Sequence, residues 1–413
     1  MSWRQRFGLR DGELIIANHF DIERAINFAE SLHEIECERV VVVDQQKHRL
    51  MVLSRGNCVS SFAMSYLPHD ATISAATQPG VVGVGVIGVG FMGRTHLASY
   101  ARTPHCAVRA ICDPMRRRAP AGNLITTSDD AEMLLATLPR ADSVSELLAR
   151  SDIQLVSICT PTETHVDLVL AAIAAGKHVL IEKPVSLDSR RISELDDHAR
   201  AAGVLVMPAH CIRFWPAWRW MADAVRAQRF GPVKHASFRR LGAAPSWSQD
   251  FYLDFTRSGG AVVDLHIHDA DFTRFAFGEP TSVAASGSRK HVFARYGFAN
   301  DLQVEAEGGW MDDPEFAFVM TAVIECADGV IDYCFGREAE LLVTTGGVTG
   351  GVTGGVTRRI ESPLEYPTGN GYDHEIAALI DAIRTRAPAA PVTLADAVMT
   401  QRLLEREISM LTA

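Results

Sequence analysis

The motif Gly88-Val89-Gly90-Phe91-Met92-Gly93 decides the fold of this 413-residue chain, because it lies between a β-rich run, residues 81–87, and a helical pattern. Gly88 allows a tight turn, Gly90 lets backbone amides approach a pyrophosphate, and Gly93 lets the helix pack closely on the strand. The positive end of the helix would then face the phosphates. Strand, turn and helix in this order predict a dinucleotide-binding segment, with residues 88 and 90–93 as its contacts.

The next predicted strand, residues 107–112, ends at Asp113, twenty residues beyond the last glycine of the motif. A carboxylate in this place accepts hydrogen bonds from the adenosine ribose hydroxyls, which favours NAD over NADP. Arg116, Arg117 and Arg118 follow. An arginine there would reverse the preference by binding a 2′-phosphate, whereas a solvated basic turn would leave it unchanged. The sequence predicts NAD as the cofactor and leaves NADP open.

Apolar runs alternate with helical patterns from residue 81 to about residue 207. This alternation predicts a doubly wound parallel sheet, the Rossmann arrangement. Beyond it, successive strands with apolar–polar alternation predict an α+β domain with a mostly antiparallel sheet. The predicted strands are residues 233–239, 282–287, 302–310, 316–324 and 330–335, and the predicted closing helices, which should pack back on the domains, are 372–384 and 394–411. The expected domains are therefore a nucleotide-binding domain, 79–207, and a substrate and oligomerisation domain, 208–413.

Two segments lie outside this plan. Residues 1–78 form an N-terminal extension with a predicted helix at 22–32 and a hairpin of 40–43 with 49–53. It is either an accessory or oligomerisation module or an extension that only packs on the nucleotide-binding domain. Residues 346–357 repeat Gly-Gly-Val-Thr three times. Because ordered glycine-rich segments lose much backbone entropy and bury little surface, we expect a mobile loop between two strands.

Composition narrows the range of partners and compartments. Lysine and arginine number 40 and aspartate and glutamate 50, which gives a formal net charge of -10 and no overall basic surface for nucleic acid. No apolar run reaches the roughly 18 residues of a membrane span, and no signal peptide is recognisable. The eight cysteines have neither C-x-x-C nor zinc spacing. We expect a cytoplasmic protein without membrane, nucleic-acid or metal partners.

Three residues have the chemistry that hydride removal from an alcohol requires. The hydroxyl proton must leave with the hydride, so a base must lie near the nicotinamide. His268 is a candidate for this base, because the unperturbed pKa of a histidine side chain lies near neutral pH. Asp264, four residues earlier, would share a helical face with His268, orient it and stabilise its charged form. Lys183 would place a cation beside the hydroxyl oxygen of the alcohol. It would also shuttle the proton if burial lowered the pKa of the lysine.

The motifs together resemble the Gfo/Idh/MocA oxidoreductases. They are the glycine turn, Thr160-Pro161 with His165 after a strand, Glu182-Lys183-Pro184, and Gly259-Gly260 before Asp264 and His268. The likeness runs from about residue 81 to the C-terminus. It implies that Lys183, Asp264 and His268 form the catalytic group with His268 as acid/base, and that the protein is a dimer or tetramer.

Further cofactor contacts are expected where parallel strands end. Thr160 and Pro161 follow such a strand, at the edge where open α/β sheets bind ligands, and they are expected to flank the nicotinamide. Glu182 and Lys183 complete this side of the predicted cofactor site. His165 is predicted beside it, although the residue also fits a simple helix start.

Substrate contacts are expected from one arginine and several aromatic residues. Arg213 and Trp215 lie where the R-F-x-P segment of the resembling family enters the substrate domain, and Tyr252 and Trp247 fall in a predicted loop. The arginine would bind a polyol or carboxylate, and the aromatic rings would stack on a sugar. The alternative for the aromatic residues is a role in the core.

The sequence therefore predicts an NAD(P)-dependent dehydrogenase that interconverts a secondary alcohol and a ketone on a sugar, cyclitol or related polyol. One alternative is an NAD-dependent glycosidase of the same fold, which would retain its cofactor without net NADH production. The other is a non-catalytic cofactor-binding scaffold or sensor. The His266-x-His268 pair also occurs in hydrolase metal sites, but no companion ligand set accompanies it, and we predict no metal.

Overall fold

A computed structural model describes residues 80–113, 129–246, 249–345 and 369–412, together with short strands within residues 9–66 and 348–359. The chain divides into two compact units, Met1–Ala76 and Thr77–Ala413. The predicted helix at 22–32, Arg116 to Arg118 and Trp247 lie outside the described residues.

The first unit contains a five-stranded sheet. Its strands, in spatial as well as chain order, are β1 (Leu9–Arg10), β2 (Glu13–Ala17), β3 (Arg39–Asp44), β4 (Arg49–Arg55) and β5 (Phe62–Tyr66). β2 and β3 run parallel, and the other pairs are antiparallel. The hairpin predicted from residues 40–43 and 49–53 is confirmed, because Val40 pairs with Leu53 and Val43 with Leu50.

The second unit begins with a parallel sheet of five strands, which confirms the Rossmann prediction. Its strands are β6 (Val82–Ile87), β7 (Cys106–Cys112), β8 (Leu155–Ile158), β9 (His178–Ile181) and β10 (Val206–Pro208). The helices that connect them are α1 (Phe91–Arg102), α2 (Asp129–Thr137), α3 (Val144–Ala149), α4 (His165–Ala174) and α5 (Ser189–Ala202). Every residue of β6, β8 and β10 is buried, as expected for strands covered on both faces.

The order of these strands places the glycine motif at the ligand-binding edge of the sheet. The spatial order is β10-β9-β8-β6-β7, so the chain turns to one side of β6 for β7 and to the other side for β8. Open α/β sheets bind ligands outside the carboxyl ends of the strands at such a switch point. The turn that begins at Gly88 follows β6 directly and therefore lies there.

The second domain contains an eight-stranded, mostly antiparallel sheet with helices on one face. Its strands are β11 (Val233–Ala243), β12 (Ser282–Gly287), β13 (His291–Gly297), β14 (Gln303–Met311), β15 (Val319–Cys326), β16 (Gly329–Cys334), β17 (Leu341–Thr345) and β20 (Val356–Arg359). The helices before β12 are α6 (Pro216–Arg226), α7 (Gln249–Tyr252), α8 (Phe255–Ser258), α9 (Ala261–Asp264) and α10 (Ile267–Phe277). The five predicted strands are present, but β11 lies between β14 and β15 and runs parallel to β14, so the sheet is not a simple meander.

Two capped helices close the chain and pack on both domains. α11 (Gly371–Arg384) begins with a capping box of Asn370 and Asp373, and α12 (Leu394–Ile408) with one of Thr393 and Asp396. In α11, Ile376, Leu379 and Ile380 join the core of the nucleotide-binding domain. The core contacts of α12 change along the helix. Leu394, Ala397 and Val398 lie in the nucleotide-binding core, whereas Leu403 and Leu404 lie in the core of the second domain.

The prediction of a loop at residues 346–357 is wrong for the three Val-Thr pairs, which lie in short strands. β18 (Val348–Thr349) and β19 (Val352–Thr353) form a two-stranded sheet, and β20 pairs with β17 at the edge of the large sheet. The glycine pairs suggested a loop, but β-branched valine and threonine favour strands. In the part of the chain that the structure describes, no helix is long and apolar enough to cross a membrane.

Candidate active site

The glycine turn has the geometry of a cradle for a dinucleotide. Gly88 has φ +84°, and a Cβ there would lie 2.7 Å from the carbonyl oxygen of Cys159. A Cβ on Gly93 would lie 2.0 Å from the carbonyl oxygen of Gly88, so helix and turn touch. A Cβ on Gly90, in contrast, would have no atom within 4 Å, and Gly90 is the N-cap of α1 without a side-chain cap. Open space therefore lies before unpaired helix amides, which fits the pyrophosphate of NAD.

Phe91 and Met92 form the half-buried first turn of α1, and Asp113 lies half-buried directly after β7. All three therefore lie at the same edge of the sheet as Gly90. Arg94 of the same helix forms an ion pair with Glu132 and is close enough to Asp113 for an electrostatic interaction. The sequence interpretation did not include Arg94, although it directly follows the last glycine of the motif.

Lys183 and Asp264 are 81 positions apart in the sequence and contact each other in the structure. Lys183 follows β9, and its Nζ donates to the carbonyl oxygen of Asp264 at 2.8 Å and to Asp264 Oδ1 at 3.1 Å. Their side chains are 15% and 23% exposed, so the pair is partly shielded but reachable. Burial opposes the charge of Lys183, but Asp264 and Glu182 outweigh it and raise the pKa of the lysine. Lys183 is therefore a fixed cation, and the proton shuttle that required a lowered pKa is wrong.

His268 is a half-buried imidazole on α10, near but not bonded to this pair. Burial, and then the positive charges of Lys183 and Arg240, hold the pKa of His268 well below its ordinary value. Its Nδ1 has no hydrogen-bond partner among the described residues. Its ring is thus neutral and able to accept a proton.

The predicted contact of Asp264 with His268 is absent. α9 ends at Asp264 and α10 begins at Ile267, so no continuous helix brings the two side chains onto one face. No hydrogen bond joins these two described residues, and Asp264 contacts Lys183 instead. Asp264 therefore orients the lysine rather than the imidazole.

The loop after β8 places Thr160 and Pro161 at the edge of the sheet. Thr160 is half-buried with its Oγ1 2.7 Å from Thr164 Oγ1, and Pro161 is exposed. His165, in contrast, is 1% exposed. Its ring nitrogens lie 2.8 Å from the carbonyl oxygen of Pro184 and 2.7 Å from that of Thr160. His165 thus ties two loops together from inside the protein, which supports a structural role rather than a cofactor contact.

Glu182 also points away from the predicted cofactor contact. It is 5% exposed, and its Oε1 lies 3.0 Å from Nε2 of His96 on α1. Its Oε2 accepts the backbone N–H of Lys183 at 3.1 Å. Burial opposes its charge, but His96 outweighs burial and lowers the pKa of Glu182. The carboxylate is thus satisfied within the protein, which supports a structural role for Glu182 rather than the predicted cofactor contact.

Arg213 is likewise not available to a substrate. It is 6% exposed and donates to both carboxylate oxygens of Asp271 at 2.7 Å. Its Nη1 lies 3.2 Å from Asp396 of α12. Burial opposes its charge, but these two carboxylates raise the pKa of Arg213. Asp271 and Asp396 thus bind the guanidinium, which supports a structural role for Arg213 rather than the predicted substrate contact.

The predicted aromatic contacts lie in two different environments. Trp215, half-buried, meets the ring of Tyr372 edge-on at 5.9 Å and packs at the start of α11, next to Gly371. It therefore has the core role that was the alternative. Tyr252 is half-buried at the end of α7 and contacts the ring of Trp310 at 5.8 Å. Its contact with a substrate stays a prediction.

Two buried groups near Lys183 were not identified from the sequence. His96, one turn after the last glycine of the motif, is fully buried beside Glu182. Glu375 on α11 is fully buried, and its oxygens have no hydrogen-bond partner among the described residues. Burial and the neighbouring Glu182 raise the pKa of Glu375 well above its ordinary value, so it is a neutral acid. A polar residue on an otherwise apolar helix face was the available signal for both.

A Rossmann domain followed by an open antiparallel sheet, with Lys183 and Asp264 between them, defines a two-domain dinucleotide-binding protein. Two family profiles match the chain. The first, "Oxidoreductase family, NAD-binding Rossmann fold", covers residues 82–210, and the second, "GFO/IDH/MocA C-terminal domain", covers residues 218–331. The chain belongs to the Gfo/Idh/MocA family, and its cofactor is accordingly NAD.

Curated relatives match part of the chain. Inositol 2-dehydrogenase of Rhizobium meliloti is 34% identical over 147 residues, which are 35% of this chain and 43% of the relative. 1,5-Anhydro-D-fructose reductase of Ensifer adhaerens is 35% identical over 157 residues, 38% of this chain and 47% of the relative. UDP-N-acetylglucosamine 3-dehydrogenase of Acidithiobacillus ferrooxidans is 34% identical over 209 residues, 50% of this chain and 57% of the relative. The chain thus matches about half of the length of each.

Solved structures share the fold over a longer stretch. The structure of UDP-N-acetylglucosamine 3-dehydrogenase from Acidithiobacillus ferrooxidans has a TM-score of 0.65 at 23% identity, covering 80% of this chain and 97% of that one. The structure of a levoglucosan dehydrogenase in complex with NADH and levoglucosan has a TM-score of 0.67 at 20% identity. The match covers 80% of this chain and 96% of that one. At these identities the likeness concerns the fold alone.

Proposed function

We propose that the protein is an NAD-dependent dehydrogenase that interconverts a secondary alcohol and a ketone on a sugar, cyclitol or related polyol. The observation that carries the proposal is the fixed cation of Lys183, held by Asp264, near the neutral imidazole of His268. The relatives named for inositol, anhydrofructose and UDP-N-acetylglucosamine support a polyhydroxylated substrate.

The proposed mechanism divides the proton chemistry between two residues. NAD, when bound, supplies the acceptor for the hydride. Lys183 donates a hydrogen bond to the reacting oxygen and stabilises the negative charge that develops there as the proton leaves. His268 accepts that proton, since its depressed pKa keeps it unprotonated beforehand. Asp264 holds the lysine amine in place through its carbonyl and carboxylate oxygens.

The cofactor would be held mainly by backbone groups. The amides at the start of α1 would bind the pyrophosphate, with Gly90 providing the space for it. Asp113 would accept the ribose hydroxyls, and Thr160 and Pro161 would flank the nicotinamide. We further propose that the protein acts in the cytoplasm as a homo-oligomer and that residues 1–78 are an accessory module. The six cysteines of the described residues are unpaired, which is consistent with a reducing compartment.

The test is a survey of substrates with the purified protein. Sugars, inositols, sugar acids and sugar nucleotides are each incubated with NAD while the absorbance of NADH is followed, and Lys183→Met serves as the inactive control. Stoichiometric NADH production from at least one polyol, absent in the variant, is expected. Glycoside cleavage without net NADH, or wild-type turnover in the variant, would refute the proposed dehydrogenase.

A further inference from the structure

Lys183, on which the proposed reaction depends, is joined to a buried chain of hydrogen bonds that passes through His96 of the nucleotide-binding helix α1. Ser157 Oγ of β8 lies 2.7 Å from His96 Nδ1, and His96 Nε2 lies 3.0 Å from Glu182 Oε1. Glu182 Oε2 accepts the backbone N–H of Lys183 at 3.1 Å. The hydrogen bonds thus run from β8 through α1 to the residues after β9, with His96 in the middle. Every side chain in it before Lys183 is buried.

We propose that His96 is a positioning residue for Lys183, because by holding Glu182 it keeps a carboxylate beside the lysine and fixes the turn that carries it. The inference rests on the proposed role of Lys183 in the reaction. His96 itself is 0% exposed, so it has no surface that faces the candidate active site.

His96 also determines which of two buried carboxyl groups is ionised. Glu182 and Glu375 lie close enough to interact electrostatically, and like charges in a buried site disfavour double ionisation. Burial opposes protonation of His96, but Cys159 and Glu182 together raise its pKa well above its ordinary value. A protonated His96 donates to Glu182, which is therefore ionised, whereas Glu375 has no such donor among the described residues and stays neutral.

Removing the imidazole should therefore change the charge next to Lys183. Without the imidazole, Glu182 would keep only the backbone N–H of Lys183 as a hydrogen-bond donor, and burial would raise the pKa of Glu182 and favour its protonated form. Lys183 would then lose one of its two neighbouring carboxylates. The titrating and charged groups that face Lys183 are Asp264, Glu182, Cys211, His165 and His268. Of these, Glu182 is the one that His96 contacts directly.

The direct test is the titration of Lys183 in the full-length protein, which needs no substrate. The protein is labelled with trace acetic anhydride across a pH series, and mass spectrometry gives the acetylated fraction of Lys183. The variants are His96→Leu, His96→Gln, whose amide still donates to Glu182, and the control Ser99→Ala. Ser99 is buried on the same helix, and its hydroxyl has no partner among the described residues.

In His96→Leu, the midpoint of Lys183 acetylation should fall by about one pH unit or more relative to wild type. His96→Gln should retain most of the wild-type midpoint, and Ser99→Ala all of it. Where a substrate is known, kcat of His96→Leu should fall roughly 10- to 100-fold, while KM and NAD affinity change less than about threefold, because the lysine is displaced and the binding groups are not.

An unchanged Lys183 midpoint in folded His96→Leu would overturn the inference. If His96→Leu does not fold, His96→Gln and Glu182→Gln replace it, and a wild-type midpoint in Glu182→Gln has the same meaning. The outcome is separate from that of the proposed function. A shifted midpoint in a protein that oxidises no polyol would support the positioning role and reject the dehydrogenase.

Discussion

Lys183 donates to Asp264 twice, to its backbone carbonyl at 2.8 Å and to its carboxylate at 3.1 Å. One residue therefore supplies both position and charge to the amine, across the boundary between the nucleotide-binding domain and the second domain. The amine has little freedom to turn, and its positive charge is retained despite burial. In the proposed reaction, the Lys183–Asp264 pair keeps its charges, whereas His268 takes up the proton.

Loss of the Lys183 side chain should strongly lower turnover and leave the binding of NAD almost unchanged. We expect Lys183→Ala to lower turnover by roughly two orders of magnitude or more, since the amine acts on the reacting oxygen rather than on the phosphates. NAD affinity by calorimetry should stay near wild type. His268→Ala should behave similarly. Near-normal turnover in Lys183→Ala would show that the proposed mechanism is wrong.

The partner of Asp264 can be identified by a double-mutant cycle. The structure predicts that Asp264→Asn lowers turnover alone and has little further effect on top of Lys183→Ala, because the two residues act as a unit. On top of His268→Ala, the same substitution should keep its effect. The sequence alone predicts the opposite result, with Asp264 coupled to His268. Steady-state kinetics of the three single and two double variants distinguish these predictions.

The pH dependence of kcat/KM for alcohol oxidation should be unusually flat. His268 must be neutral to accept a proton, and its depressed pKa places the acid limb below the ordinary value of 6.5. Lys183 must be charged, and its raised pKa places the alkaline limb above 10.5. Activity should therefore be constant from pH 6.5 to the alkaline limit of protein stability. An acid limb above pH 6.5 would contradict a neutral His268 in the resting enzyme.

The cofactor preference should depend on Arg94. We expect NAD to bind about tenfold, or roughly 1.4 kcal/mol, more tightly than NADP, because Asp113 would repel a 2′-phosphate and Glu132 engages Arg94. Glu132→Gln releases the arginine and should narrow the preference by raising NADP affinity. Glu305→Gln, which frees Arg295 on the second-domain sheet, is the matched control. Calorimetric titration with both cofactors measures the effect, and an unchanged ratio in Glu132→Gln would exclude this role for Arg94.

Arg213 should affect stability and not substrate binding. Arg213→Met leaves Asp271 and Asp396 without their cation, and breaking a buried pair costs roughly 3–5 kcal/mol. Arg190→Met removes an exposed arginine that pairs with Asp188, and it should leave the urea midpoint unchanged. Both variants should keep the wild-type substrate KM while folded. A raised KM with normal stability in Arg213→Met would return Arg213 to the substrate site.

Local motifs determined what was predictable. The glycine turn and the Lys183 segment each need only a few consecutive residues, so both were recognised from sequence and their geometry agrees with the expected turn and amine. The buried charge pairs, in contrast, were not predicted from the sequence. Glu182 meets His96 across 86 residues, and Arg213 meets Asp271 across 58, so no spacing rule connects them. Both residues were assigned to ligands because their internal partners were unknown.

The topology of the second sheet was also beyond local reasoning. β13 was not predicted as a strand, because the exposed Phe293 interrupts the alternation of polar His291 and Arg295 with the buried apolar residues of the strand. These polar side chains meet Glu305 and Glu307 on the neighbouring strand. The parallel pairing of β11 with β14 likewise joins distant segments, since His235 pairs with Gln303, and it follows from packing rather than from the sequence of either strand.

The helix α12 has a mechanical consequence for the whole second unit. Its first turns belong to one hydrophobic core and its last turns to the other, so a single helix joins the two cores. Bending the two halves apart would require this helix to break or to leave one core. Because both cores share this helix, heat should melt both halves in a single calorimetric peak.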